Sequence, residues 1–177
     1  MKKILYIVLI PIFASLVWVL SLFDFQNSSG ENGCAFCQKE VLESQAFYRK
    51  NGAIGLLTHK PAVPGHVLII PERHAAVYSE LTADEMASMG EAIQKIDSAI
   101  QKLYQTTESV LIEKNGRGAG QSVPHVHFHY IPRSKEIGTM SFLVRFLLAP
   151  WMKPLTQEEM KKQTSVLHEL LDSPALE

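Results

Sequence analysis

Three histidines stand at alternate positions in His125-Val126-His127-Phe128-His129, with a glycine-rich run, Asn115-Gly116-Arg117-Gly118-Ala119-Gly120, and then Gln121 and Ser122 just before them. On a strand, alternate side chains share a face, so the spacing predicts three imidazoles on one side and Val126 and Phe128 in the core on the other. Imidazole titrates near neutrality and serves as ligand, nucleophile, base or acid. Two chemistries compete. Three imidazoles can hold a catalytic zinc with an open fourth position, or the central one can attack phosphorus while its neighbours place it and handle protons. A third reading is a purely structural polar cluster. The loop favours phosphate, because glycines let backbone N–H groups approach phosphate oxygens and Gln121 and Ser122 add donors, apparatus a metal centre does not need.

The elements that must carry these residues can be read from periodicity and punctuation. Residues 45–50 and 53–59 flank Asn51-Gly52, a strong hairpin signal. Pro61, Pro64 and Gly65 mark a turn before the apolar strand 66–70, which Pro71 stops. Thr82-Ala-Asp-Glu85 has capping-box spacing, and Met86, Met89, Ile93, Ile96, Ile100 and Leu103 recur at helical intervals, which predicts one amphipathic helix of about six turns. Strands are expected over 110–113 and 125–131. Beyond Pro132 the chain reads as helical over 137–148 and, after a second capping box at Thr156 to Glu159, as far as Asp172. The fold class expected is α+β, an antiparallel sheet covered by a long helix.

The chain has 177 residues, with 17 Lys and Arg against 18 Asp and Glu. Its length suits one domain plus an appendage, and its charge lacks the basic footprint of a nucleic-acid binder. Hydrophobic residues are unevenly spread: 19 of the first 25 are apolar, and residues 4–23 carry no charge. A run of about 20 such residues is long enough to cross a bilayer. Lys2 and Lys3 before it, and Asp24 and Glu31 after it, place the amino end in the cytoplasm and the domain outside. The expected organisation is therefore a transmembrane anchor or signal segment over 1–25, a tether over 26–33, a catalytic domain over 34–135 and a helical extension over 136–177. The alternatives are secretion after cleavage of a signal, or a domain facing the cytoplasm.

The run Gly120-Gln-Ser-Val-Pro-His-Val-His-Phe-His-Tyr-Ile-Pro-Arg133, with Lys60-Pro-Ala-Val-Pro-Gly-His66-Val-Leu-Ile-Ile-Pro71 upstream, resembles the histidine triad (HIT) family over roughly residues 34–133. The resemblance implies hydrolysis or nucleotidyl transfer at the α-phosphate of a nucleotide conjugate, either a phosphoramidate or a dinucleoside polyphosphate, with no cofactor required for the step. His127 matches the family nucleophile, His125 and His129 its partners, and His66 the histidine that buttresses them. Gly120, Gln121 and Ser122 match the phosphate-binding region, and Asn115 and Lys114 fall where an Asn or Gln meets phosphate. Thr58 stands where an acid or amide commonly holds the ribose, so it is a poorer partner for two hydroxyls. Pro124 removes one backbone donor. The resemblance also implies a homodimer.

By spacing alone, Cys34-x-x-Cys37 suits half a zinc site, a redox pair or a disulfide. Some branches of the family hold structural zinc with such a pair and two histidines, and His74 and His125 match them. His59 and His168 read as surface residues. The alternatives to a nucleotidyl-histidine enzyme are a metal-dependent hydrolase using the three strand histidines and a nucleotide-binding module without turnover.

Overall fold

The computed structural model describes residues 33–133 and 136–172. After a short turn at Ala35–Cys37 the elements are α1 (Lys39–Gln45), β1 (Ala46–Lys50), β2 (Ala53–Leu57), β3 (Val67–Pro71), α2 (Ala83–Tyr104), β4 (Ser109–Glu113), β5 (Phe128–Pro132), α3 (Thr139–Leu148) and α4 (Gln157–Leu171). The strands form one antiparallel sheet in the order β1-β2-β3-β5-β4. The expected α+β class therefore holds.

Local chemistry explains the elements. Asn51 and Gly52 take positive φ values of 51° and 78°, the geometry a two-residue hairpin turn requires. At the start of α2 both capping-box bonds form: Glu85 N–H donates to the Thr82 hydroxyl, and Thr82 N–H donates to the Glu85 carboxylate. Thr156 and Glu159 repeat the arrangement at α4.

Each face of the sheet has its own cover. Ala53, Leu57, Val67, Ile69 and Tyr130 pack with Met89, Ala92, Ile96 and Ile100 of α2 and with Met160 and Leu167 of α4. Gly55 lets α2 come close, since a Cβ there would stand 2.9 Å from Ile96 Cδ1. On the opposite face Ile54, Leu56, Leu68 and Ile70 pack against Cys34 and Phe36, and Ile131 and Val63 pack against Phe142 of α3. His129 is paired with Leu68 in the ladder and so lies on this second face, away from α2.

Three expectations are corrected. The strand expected over 125–131 begins only at Phe128, because Val126 N–H donates to Ala75 O and His125 N–H to Val123 O, which takes that backbone out of the ladder. Helix α1 stands where no helix was expected. The single-pass membrane placement finds no support in the structure: among the described residues no helix is long and apolar enough to cross a membrane. The expected span, residues 1–25, and most of the tether lie outside the described residues.

Candidate functional site: a histidine relay beside a cysteine-histidine cluster

The histidines form a chain whose proton positions follow from their partners. Ala62 N–H donates to His66 Nδ1 at 3.2 Å, so that nitrogen carries no proton. His66 Nε2–H must then be the donor in its 2.9 Å contact with His129 Nδ1, which leaves the proton of neutral His129 on Nε2. His127 Nδ1–H donates to the carbonyl of His125 at 2.7 Å, so the lone pair of His127 resides on Nε2. The rings of His127 and His129 are 5.0 Å apart. The turn before β3 delivers His66: Gly65 there has φ +81°, and a Cβ would stand 2.6 Å from Tyr104 Cε2.

Burial keeps this group neutral. His66 is lowered to about 4, first by burial and then by the nearby Lys114 charge. His129 is lowered to about 2 by burial, His127, His66 and Lys114, in that order. His127 is lowered chiefly by burial, against the hydrogen bond to His125.

His125 departs from its two companions. Its Nε2–H donates to the Pro71 carbonyl at 2.9 Å, and the Nδ1 lone pair therefore faces Cys34 Sγ at 3.5 Å and Cys37 Sγ at 3.6 Å. His74 Nδ1 is 3.4 Å from Cys37 Sγ. The ligand atoms of Cys34, Cys37, His74 and His125 all lie within 4.8 Å of one another, and no disulfide joins the cysteines. A tetrahedral zinc with nitrogen and sulfur ligands at about 2.1 and 2.3 Å has nitrogen-to-sulfur edges of about 3.6 Å, close to the spacing found. The carbonyl that holds Nε2–H of His125 is the outer partner such a ligand ordinarily has. The residues therefore fit zinc. They do not fit the three-histidine metal centre, because both ring nitrogens of His125 are engaged away from His127 and His129.

The loop before the histidines is tied down from within. Gly116 and Gly120 take φ values of +90° and +85°. Gln121 Oε1 accepts from Gly116 N–H, and its Nε2 donates to Ala76 O and His125 O, so this amide braces the loop. Asn115 Oδ1 accepts from Tyr78 N–H. Ser122 is exposed. The Lys114 side chain passes Gly120 and places Nζ 5.8 Å from the Phe146 ring centroid. Thr58 is buried just after β2, level with His66. His59 is exposed, and His168 pairs with Asp172 on the surface. Sequence reasoning missed Phe36: its ring meets the rings of His127 and His125 edge-on at 5.2 and 6.0 Å. Only its position inside the Cys-x-x-Cys turn could have pointed to it.

Comparison with known proteins agrees with this geometry. The HIT domain family matches residues 39–136, and the chain belongs to that family. It is 39% identical over 100 residues to the asymmetrical bis(5′-nucleosyl)-tetraphosphatase of Schizosaccharomyces pombe, which covers 56% of this chain and 55% of that protein. The chain thus spans about half the length of that relative. It is 30% identical over 132 residues to the bis(5′-adenosyl)-triphosphatase of Dictyostelium discoideum, covering 75% of this chain and 89% of the relative. A solved HIT family structure from Bacillus subtilis is 31% identical with a TM-score of 0.53, covering 58% of this chain and 74% of that one.

Proposed function

We propose that this chain hydrolyses or transfers the nucleotidyl group of a nucleotide conjugate, a dinucleoside polyphosphate or a phosphoramidate, through a covalent adduct on His127. The observation that carries the reading is the 2.7 Å bond from His127 Nδ1–H to the His125 carbonyl, which leaves the Nε2 lone pair for attack. The names of the two relatives above, a nucleosyl tetraphosphatase and an adenosyl triphosphatase, support the substrate class. Nε2 of His127 attacks the α-phosphorus, and the bond from phosphorus to the leaving oxygen or nitrogen breaks. Water then cleaves the phosphorus–nitrogen bond, releasing the nucleoside monophosphate and regenerating the imidazole. His129, relayed by His66, presents Nε2–H to a phosphate oxygen or the leaving group. Lys114 and the backbone of the Gly120 turn receive the polyphosphate, with Ser122 beside them, and Thr58 meets the ribose. Gln121 and Asn115 shape the loop.

The same reading assigns a structural zinc to Cys34, Cys37, His74 and His125, and no cofactor to the chemical step. It also holds the catalytic unit to be residues 34–135, with 136–177 as a helical extension. A homodimer belongs to it too, since β4 ends the sheet and leaves Leu111 46% exposed on its edge.

The test is incubation of the full chain with a dinucleoside polyphosphate and with a nucleoside phosphoramidate. An acid-labile adduct should be trapped on the parent, and His127→Ala should lose both adduct and turnover. Undiminished turnover by His127→Ala sinks the mechanism, and tight binding with no turnover by the parent favours a binding module.

A further inference from the structure

We infer that the cysteine-histidine centre positions the nucleophile: a zinc ion gathered by Cys34, Cys37, His74 and His125 fixes the tautomer and placement of His127. The inference rests on the proposal that the centre takes zinc and that His127 is the attacking residue. Two separate links join the centres.

The first link is His125 itself. Its ring is fixed at both nitrogens, by Pro71 O at the end of β3 and by the ligand position facing the sulfurs. The carbonyl of the same residue accepts the His127 Nδ1–H at 2.7 Å and a Gln121 amide N–H at 3.2 Å. Were that peptide to rotate, His127 would lose the acceptor that keeps its proton on Nδ1, and the lone pair would no longer be confined to Nε2. The His74 side of the centre is laced to the same segment, since Ala75 O accepts from Val126 N–H and Ala76 O from the Gln121 amide. His125 is in this respect a positioning residue.

The second link is Phe36. It lies between the two cysteines, buried, with its ring edge-on to His127 at 5.2 Å. The turn that carries it has no side-chain cap. A metal that holds Cys34 and Cys37 together therefore holds Phe36 against the nucleophile.

The test compares the full chain loaded with zinc and stripped by a chelator, using long-range proton–nitrogen spectra of the histidine side chains alongside steady-state kinetics. The loaded chain should show His127 as the single Nδ1–H tautomer. Stripping should give a tautomer mixture and lower kcat by about 10- to 100-fold, the range seen when partners supporting a metal or site ligand are lost, with KM unchanged. Phe36→Leu keeps all four ligands, should bind zinc at full stoichiometry and should lower kcat by roughly 10-fold with KM unchanged. Stripped protein with the loaded spectrum and kcat overturns the coupling while leaving zinc and nucleophile in place. If stripping unfolds the chain, parental kcat and spectrum in Phe36→Leu overturn it instead. A chain that takes up no zinc in titration overturns the coupling together with the metal assignment.

Discussion

Each histidine acts through the atom its neighbour leaves available. His66→Ala removes the donor from His129 Nδ1, so the proton of His129 is no longer held on Nε2; kcat should fall by about 10-fold or more, with KM little changed. Lys114→Gln tests the cation at the site. A hydrogen bond to a charged group contributes about 1.5–3 kcal/mol, so KM for a dinucleoside polyphosphate should rise by roughly 10- to 100-fold. The effect should shrink for a phosphoramidate, which carries fewer phosphate charges, and equal effects on both substrates would argue against polyphosphate contact. Much of this site is legible in the sequence, because the alternate histidines and the glycine loop before them are contiguous in the chain and carry the resemblance to the family. The rotation of His125 is not. Its ring is placed by Cys34, 91 positions away, and alternation within a strand holds no information about so distant a partner.

The elements were legible wherever the signal was local. The Asn51-Gly52 turn and the two capping boxes depend on residues three or fewer apart, and all form. Helix α1 carries no such mark: Gln38 at its amino end makes no side-chain cap, and none of its residues is fully buried. It follows the Cys34–Cys37 turn and packs on α4, a dependence on tertiary contact that seven residues of sequence do not announce. Two substitutions test elements that position the site. Thr82→Ala should cost about 1 kcal/mol in denaturant unfolding through the lost cap of α2, with activity unaffected at saturating substrate. Gly65→Ala should cost more, about 2 kcal/mol or above, because φ +81° disfavours any side chain and the new Cβ meets Tyr104 and Pro132 within 2.9 Å. Since Gly65 adjoins His66, kcat should fall too, and a Gly65→Ala protein of parental stability would show that the turn yields more readily than its packing implies.

Taken whole, the molecule keeps neutral imidazoles under the surface, which sets its response to acid. His66 and His129 titrate at about 4 and about 2 when folded, against about 6.5 in an unfolded chain. Lys114 and His127 face them and oppose their charging, as burial does first. Below pH 6.5 the unfolded chain thus takes up protons that the folded site refuses, so stability is full above that pH and is lost as pH falls, until about 4 for His66 and about 2 for His129. Each such proton contributes a slope of about 1.4 kcal/mol per pH unit. Thermal melts from pH 7 to 4.5 should show Tm falling with acid, and the fall should be shallower in His66→Asn.

The cluster that joins Cys34 to His125 also has a meaning for the order of folding. Its ligands come from the turn before α1, from the stretch after β3 and from the approach to β5, so the centre cannot close until the sheet between them has assembled. Capture of the ion would then be a late event in folding and its release an early event in unfolding, making metal exchange a clock for the opening of the whole domain.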